Sequence, residues 1–390
     1  MKKVTLKKGK DTPVTRKHPW VFSGAILKKD EGISDGDLVR VESNNGKFLG
    51  LGHYHGSSIS VRIFSFNDIS VDEKFWLDRL TNAFLYRKQL ALLNEKNNCF
   101  RLVFGESDSM PGLILDYYDG NIVFQAHTLG MHKLSNVLKE SILKVPGLNV
   151  KTIYDKSKDS LPSNHTQDFK NNFLFGNNEA ALVYESGYKF HVDWVKGQKT
   201  GFFLDQRDNR KLLAEYSAGN KVLNTFCYTG GFSVYAGKAN ALLIHSVDSS
   251  KSAIALTEKN ITENNILYHQ SFCVDTFDFL KSNELDYEVM ILDPPAFAKH
   301  IDAKHRAVIG YKNLNALVLK KAKVGSVIFT FSCTQVVDKL LFFNTISAAA
   351  IDAGREIRIL HYLHQPPDHP INPLHPESEY LKGLVIKVVA

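Results

Sequence analysis

The 390-residue chain is poor in cysteine, tryptophan and methionine, with four, three and four of them respectively. Cys99, Cys227, Cys273 and Cys333 show no C-x-x-C spacing. That excludes a disulfide framework and a compact zinc motif, and leaves reduced thiols of a cytoplasmic protein as the expectation. No run of 18 apolar residues occurs, so no membrane span is expected. The opening MKKVTLKKGKDTP is basic and has no apolar core of the kind a secretory signal carries. The motif G-x-x-x-x-G-K-[ST] and the full G-x-G-x-x-G spacing are both missing, which removes the usual cradles for triphosphates and dinucleotide pyrophosphates. Acid excess is missing too. Lys plus Arg number 48 against 41 Asp plus Glu, a net charge of +7 that permits a nucleic-acid partner without demanding one.

What is present is organised around residues 221–248, KVLNTFCYTGGFSVYAGKANALLIHSVD. An apolar run through Val222, Leu223 and Phe226 suits a buried parallel strand. Thr229, Gly230 and Gly231 suit a sharp turn that a backbone or ligand approaches closely. A short helix over 233–240 and a strand over 241–247 follow, ending at Asp248. An acid about 20 residues past such a turn, at a strand's carboxyl end, is where a ribose hydroxyl pair is held. Two further apolar runs end in reactive or polar groups: Val289–Leu292 before Asp293-Pro294-Pro295, and Val327–Phe331 before Ser332-Cys333-Thr334. The fold expectation is α/β, with ligands bound at the carboxyl edge of a doubly wound sheet. Without a pyrophosphate cradle, S-adenosylmethionine fits this turn better than NAD or ATP.

The first 70 residues read differently. Short alternating segments separated by Gly, Asn and Asp suit a small β-barrel. Basic residues crowd it, and Arg16, Lys17 and Trp20 fall within one run, RKHPWVFSG. Lys and Arg suit RNA phosphates and an aromatic face suits an unstacked base; a solvated basic surface over a core tryptophan is the plainer alternative. Ser70-x-x-Glu73 predicts a capping box opening a helix with an apolar stripe through Phe75, Trp76, Leu80, Phe84, Leu90 and Leu93. The loop 105–112 suits either a hairpin connection or a substrate contact, and residues 155–178 predict a long exposed loop.

Ahead of the central turn, Gly197–Arg207 (GQKTGFFLDQR) offers glycines and a lysine before a helix start, an arrangement suited to a carboxylate. Asp205 as a plain cap, with Arg207 paired on the surface, is the simpler alternative. Asp275-Thr276-Phe277 follows a predicted strand over 271–274, and either lies beside adenine or merely caps the next helix. The loop past residue 295 is the most basic internal one, with Lys299, Lys304 and Arg306 suited to phosphates. His361, His364, His369, His375 and Glu377 match no compact zinc spacing, so no metal is expected. A final strand over 383–388 would close the sheet.

The chemistry these residues suit is methyl transfer to a pyrimidine carbon. Cytosine C5 is a poor nucleophile until a thiolate adds to C6 and makes the ring an enamine. Cys333 at a strand end, between two hydroxyl residues, is the better candidate than Cys99, Cys227 or Cys273. Asp293 on the neighbouring strand end would hold the ring at N3 or N4. An Asp-Pro-Pro turn also suits methylation of an exocyclic amine, which needs no cysteine. A non-catalytic RNA-binding assembly factor is the third reading.

RKHPWVFSGAI (16–26), GESDSMPGLILD (105–116), GQKTGFFLDQRDNR (197–210), LNTFCYTGGFSV (223–234), DPPAF (293–297), SCT (332–334) and DHP…EYLKG (368–383) together resemble one family along nearly the whole chain. It is the bacterial family of large-subunit ribosomal RNA methyltransferases that make 5-methylcytosine. The resemblance implies a PUA β-barrel over residues 1–70, a central α/β domain over 71–184 and a Rossmann-like class I methyltransferase domain over 185–390. It implies S-adenosylmethionine as cofactor and large-subunit (23S) rRNA as partner, with no membrane; a homodimer is left open. By position it implies Phe203, Asp205, Gln206 and Arg207 bordering the cofactor, with Tyr228, Thr229 and Gly230 in its glycine turn. Asp248 with Ser249 match the ribose end, and Asp275 with Thr276 the adenine end. Asp293 matches the acid near the methyl donor and target base, and Cys333 the nucleophile. One departure stands out. Better-known RNA cytosine methyltransferases carry a second cysteine beside the Asp-Pro proline, where this chain has Pro295.

Overall fold

The computed structural model describes residues 1–162, 169–298 and 301–390. The chain divides into two units. The first comprises residues 1–183, 192–201 and 367–378; the second comprises 184–191, 202–366 and 379–390.

In the first unit, β1 (Lys2–Leu6), β2 (Trp20–Phe22), β3 (Ile26–Lys29), β4 (Leu38–Glu42), β5 (Phe48–Tyr54) and β6 (Ile59–Ser65) form one sheet in the order β2-β6-β5-β4-β1-β3. Only β1 and β4 pair in parallel. Gly50 and Gly52 on β5 lie against the neighbouring strand. A Cβ on Gly52 would stand 2.4 Å from the Arg62 carbonyl oxygen, so a side chain there would part the sheet. A second sheet follows from β7 (Cys99–Phe104), β8 (Leu113–Tyr118), β9 (Asn121–Ala126), β10 (Thr152–Asp155) and β11 (Asn172–Phe175), in the order β11-β10-β9-β8-β7. The helix Glu73–Gln89 joins the two sheets through one apolar cluster in which Leu51 and Phe64 meet Phe75, Trp76, Leu80 and Phe100. Arg87 on this helix is fully buried. Both its terminal nitrogens donate to Asp108, at 2.6 and 2.8 Å, so the 105–112 loop is pinned at that residue.

The cap of that helix differs from the sequence expectation. Asp72, not Ser70, is the N-cap, and its Oδ1 accepts the Phe75 N–H at 2.9 Å. The carboxylate two residues later reaches the orphan amides, and it also favours the positive end of the helix dipole. Leu90 and Leu93, expected in its apolar stripe, lie past the end of the helix at Gln89. The predicted loop 155–178 contains β11, paired antiparallel to β10. Ser163–Asp168 within it lie outside the described residues.

The second unit is a seven-stranded sheet of β14 (Lys221–Thr225), β15 (Leu243–Asp248), β16 (His269–Cys273), β17 (Val289–Leu292), β18 (Val327–Ser332), β19 (Ile357–His364) and β20 (Lys382–Val388). The preceding hairpin consists of β12 (Ala180–Glu185) and β13 (Tyr188–Asp193). The sheet order is β16-β15-β14-β17-β18-β20-β19, with the first five strands parallel. The strand order reverses beside β14, which is the topological switch point of such sheets. β17 and β18 are buried along their whole length, which is why they read as unbroken apolar runs rather than alternating ones. The last strand does not close the sheet. β20 runs antiparallel between β18 and β19, leaving β19 at the edge.

Changing Asp72 to Ala should lower stability by about 1 kcal/mol, the usual cost of a lost cap, while Ser70→Ala should not. Trp20, Trp76 and Trp194 all belong to the first unit, so tryptophan fluorescence during urea unfolding reads this unit. Equal shifts for both variants would return the cap to Ser70.

Candidate active site

Register places the parallel strand ends along one edge. Thr225 on β14 pairs with Val247 on β15 and Leu292 on β17; Leu292 pairs with Thr330 on β18; Asp248 pairs with Cys273 on β16. The residues just beyond are therefore the glycine turn, Asp248, Asp275, Asp293 and Cys333. Buried polar contacts hold this alignment. Thr225 Oγ1 donates to the Ile291 carbonyl at 2.6 Å. A chain of hydrogen bonds runs from Asn224 through Ser233 and Ser246 to His269, at 2.9, 2.7 and 2.8 Å.

The turn itself departs from ordinary backbone. Phe226, Tyr228 and Gly230 have φ of 54°, 49° and 74°, three left-handed residues in five, of which only Gly230 adopts that region without cost. A Cβ at Gly230 would also stand 2.7 Å from Thr257 Cγ2. Thr257 and Asn260 lock the turn from the facing helix, donating to the Tyr228 and Thr229 carbonyls at 2.8 and 2.9 Å. Cys227 within it is buried. Burial first, and the Asp248 charge second, push its thiol well up, so it stays protonated and packs.

Asp248 braces the same turn. Its Oδ2 accepts the Tyr228 N–H and its Oδ1 the Ser250 N–H, both at 2.9 Å. Each carboxylate oxygen retains a second acceptor position, so the pair of acceptors fits a ribose hydroxyl pair. Ser249 beside it is exposed. Asp275 does cap a helix, its Oδ1 accepting from Phe277 and Asp278 at 2.8 and 3.1 Å; its side chain stays exposed and Thr276 is buried. Cap and ligand are thus compatible, since one carboxylate oxygen makes both cap bonds.

Ahead of β14, Gln206 is buried and donates to Asp293 Oδ2 at 2.9 Å while accepting from Asn209 at 2.6 Å. The chain of partners fixes the amide's orientation and aims Asp293. Phe203 stands edge-on to Tyr228 at 5.0 Å. Asp205 neither caps the helix Arg207–Ser217 nor meets solvent; its Oδ2 accepts the Tyr380 hydroxyl at 2.5 Å. Arg207 is likewise buried rather than a surface partner. Gly197–Gly201, read as a carboxylate cradle, belongs to the first unit. There Thr200 shares a hydrogen bond with Tyr118 at 3.2 Å.

Sequence reading missed Glu185. It is fully buried and takes two bonds from Arg210 at 2.8 Å, one from the Tyr235 hydroxyl at 3.0 Å, and an ion pair with Arg207 at 3.5 Å. Arg210 passes the restraint on, donating to the Phe203 carbonyl at 2.9 Å. An apolar-polar alternation marks Glu185 as inward-facing on its strand, but nothing local names its partners.

Cys333 follows β18 directly and is half-buried. Thr334 beside it shares a hydrogen bond with Tyr311 at 2.7 Å. Of the basic loop, Lys304 is half-buried and Arg306 exposed, while Lys299 lies outside the described residues. In the first unit Arg16 and Lys17 are exposed, the latter with its ammonium 4.8 Å from the Phe66 ring. Trp20 is engaged inside that unit: its indole N–H donates to Glu106 at 2.8 Å, Arg62 lies 4.9 Å from its ring, and the His375 ring meets it at 4.4 Å. His18, His375 and Glu377 draw together there, with potential ligand atoms within 4.8 Å of one another. His18 Nδ1 accepts the Trp20 backbone N–H at 3.2 Å. Its proton then sits on Nε2, facing Glu377 at 3.3 Å, which is the atom a metal would need.

A parallel sheet with this strand order, a glycine turn at its switch point and carboxylates on the next strand ends defines a nucleoside-cofactor transferase. Residues 160–330 match the family described as S-adenosylmethionine-dependent methyltransferase, and residues 4–66 the family described as PUA-like domain. A protein named ribosomal RNA large subunit methyltransferase I, from Shewanella denitrificans, is 36% identical to this chain across 99% of both. A SAM-dependent methyltransferase from Streptococcus mutans shares the fold, with a TM-score of 0.86 over 100% of both chains at 24% identity. A methyltransferase solved in complex with SAH matches to the same extent. The protein is an S-adenosylmethionine-dependent methyltransferase. It belongs to the ribosomal RNA large subunit methyltransferase I family.

Glu185→Ala should cost about 3–5 kcal/mol, because two buried guanidinium groups lose their counter-charge. Hydrogen exchange in the helix Arg207–Ser217 should speed by about a hundredfold or more. Glu263→Ala, which breaks a solvated pair with Lys189, should leave that exchange unchanged. Unaltered exchange in Glu185→Ala would mean the buried cluster does not hold this helix.

Proposed function

We propose that this chain makes 5-methylcytosine in large-subunit ribosomal RNA, with Cys333 as a covalent nucleophile. The observation that supports it most is the succession of Asp293 and Cys333 directly past adjacent strands, on the edge that also carries the glycine turn and Asp248. The relative from Shewanella denitrificans contributes the RNA class through its name. No described helix is long and apolar enough to cross a membrane, and we infer a cytosolic enzyme.

In this reading residues 1–70 bind RNA, 71–184 form the central domain and 185–390 carry the chemistry. Asp248, with Ser249 beside it, holds the ribose. Asp275 and Thr276 border the adenine, and Phe203, Asp205, Gln206 and Arg207 with Tyr228, Thr229 and Gly230 wall the site. The bound cofactor supplies a methyl group on a sulfonium, an electrophile that needs no further activation. Cys333 sulfur bonds to C6, and the C5=C6 electron pair turns C5 into the attacking carbon. Asp293, held by Gln206, accepts a hydrogen bond from the cytosine amino group, or in its protonated form donates one to N3. Loss of the C5 proton to water restores the double bond and expels the thiolate. Arg16 and Lys17 then contact phosphates, as do Lys299, Lys304 and Arg306. Phe22, 47% exposed, offers a base a freer aromatic face than Trp20 does.

RNA carrying 5-fluorocytosine should trap a covalent adduct with wild type and none with Cys333→Ala. Normal methylation by Cys333→Ala, with activity abolished in Asp293→Ala, would move the methyl to an exocyclic amine such as guanine N2. Asp248→Ala should weaken S-adenosylmethionine binding tenfold or more by calorimetry, since each oxygen loses charge-assisted hydrogen bonds. Binding unchanged in that variant would remove Asp248 from the ribose, and no binding by wild type would favour a non-catalytic assembly factor.

A further inference from the structure

The sheet carries a buried lysine that nothing so far explains. Lys382 opens β20, pairs in register with Ser332 on β18 and His364 on β19, and is 4% exposed. A lysine in the interior of a sheet is costly unless something there uses its charge. Its ammonium donates to the carbonyl of Thr334, the residue after Cys333, at 2.8 Å. The β18–β20 register thus delivers the amine to the turn that presents the thiol. The titratable groups around it are Cys333, Glu379 and Asp338, whose charged forms favour its protonated form, and Lys339, which opposes it. Lys339 is itself paired with Glu379 at 2.5 Å, so much of that carboxylate's influence is spent elsewhere.

We infer that Lys382 is a positioning and proton-holding residue for Cys333, taking up the thiol proton so that the sulfur attacks as a thiolate. The inference rests on the reading of Cys333 as nucleophile. Burial pulls Lys382 down to about 8, close to the ~8.5 of an ordinary thiol. Near neutrality a part of the population therefore holds a neutral amine able to accept the proton. The S–H proton moves to the amine nitrogen, giving an ammonium beside a thiolate, and the sulfur lone pair forms the bond to C6. When that bond breaks the pair returns to sulfur, and the ammonium proton returns to the thiolate. Among the described residues no other lysine donates to the backbone of the 332–334 turn. The device also bears on the missing second cysteine: a leaving thiolate is better stabilised next to an ammonium.

Iodoacetamide alkylation of the full-length protein, without RNA or methyl donor, tests this, with each cysteine read by peptide mass spectrometry between pH 6 and 9. At pH 7 Cys333 in Lys382→Met should alkylate five- to tenfold more slowly than in wild type. Exposed Cys273 serves as the internal reference for folding and reagent. Lys382→Gln, which keeps a donor for the Thr334 carbonyl but no charge, should be slow as well, and Lys382→Arg, a fixed cation that cannot take up the proton, should recover only the part of the rate that charge alone supplies. Cys333 alkylation in Lys382→Gln with the rate and pH profile of wild type overturns the proposal, as does rescue by Gln but not by Arg. Full methylation by Cys333→Ala would instead defeat the nucleophile reading and leave the alkylation result standing, so the two failures are distinct.

Discussion

The common register of five parallel strands is what the site depends on. A side chain at a strand end is aimed only if the strand stops where its neighbours stop, and a slip of one residue would turn every side chain to the other face. Here the register is held by more than the backbone ladder. Thr225 is tied to the Ile291 carbonyl, and Asn224, Ser233, Ser246 and His269 form a buried hydrogen-bonded row across β14, β15 and β16. Such groups are unfavourable in an apolar interior unless each finds its partner. That requirement makes alternative registers costly. It converts an otherwise slippery set of Val/Ile/Leu strands into one that ends Asp248, Asp293 and Cys333 on the same edge.

Much of this edge could be read from the sequence because its signals are local. Val289–Leu292 is an apolar run stopped by Asp-Pro-Pro, and the structure ends β17 at the same residue. β18 extends one residue past its expected end, to Ser332. The glycine turn announced itself by Gly230 and Gly231, although the left-handed Phe226 and Tyr228 could not be foreseen from residue types that normally avoid that region. What stayed hidden depends on distant partners. Nothing in residues 382–388 says that this strand inserts between β18 and β19, because an antiparallel strand buried on both faces looks the same at an edge or inside. Residues 367–378 join the first unit through contacts such as Arg87 with the Asp368 carbonyl, 281 positions apart. The helix cap differs for another reason: Ser70-x-x-Glu73 fits the capping-box pattern, yet Asp72 is an equally good N-cap residue once the helix begins at Glu73.

The buried charges of the second unit divide by what they hold. Glu185 with Arg210 and Arg207 is an ion cluster that well-packed apolar residues could replace without loss of stability. An apolar replacement would not reproduce the Arg210 donor to the Phe203 carbonyl, and so would free the segment Phe203–Gln206. Gln206 orients Asp293, hence a charge set deep beneath the helix Arg207–Ser217 reaches the strand end through two hydrogen-bonded steps. The cluster is better understood as fixing geometry than as adding stability.

Lys382 is the opposite case. Among the described residues its direct partner is a carbonyl and not a carboxylate, so its charge is only partly compensated and its proton is loosely held. A fully paired lysine would keep its proton and be useless as an acceptor, whereas an unpaired apolar side chain would leave the Thr334 carbonyl without a donor. The intermediate arrangement, an ammonium with a neutral acceptor and distant acids, holds the amine near the acidity of a thiol. The same unit therefore contains one buried cation made inert by close pairing and another kept labile by its absence. The labile one lies beside the turn of the only cysteine that directly follows a described central strand ahead of β20.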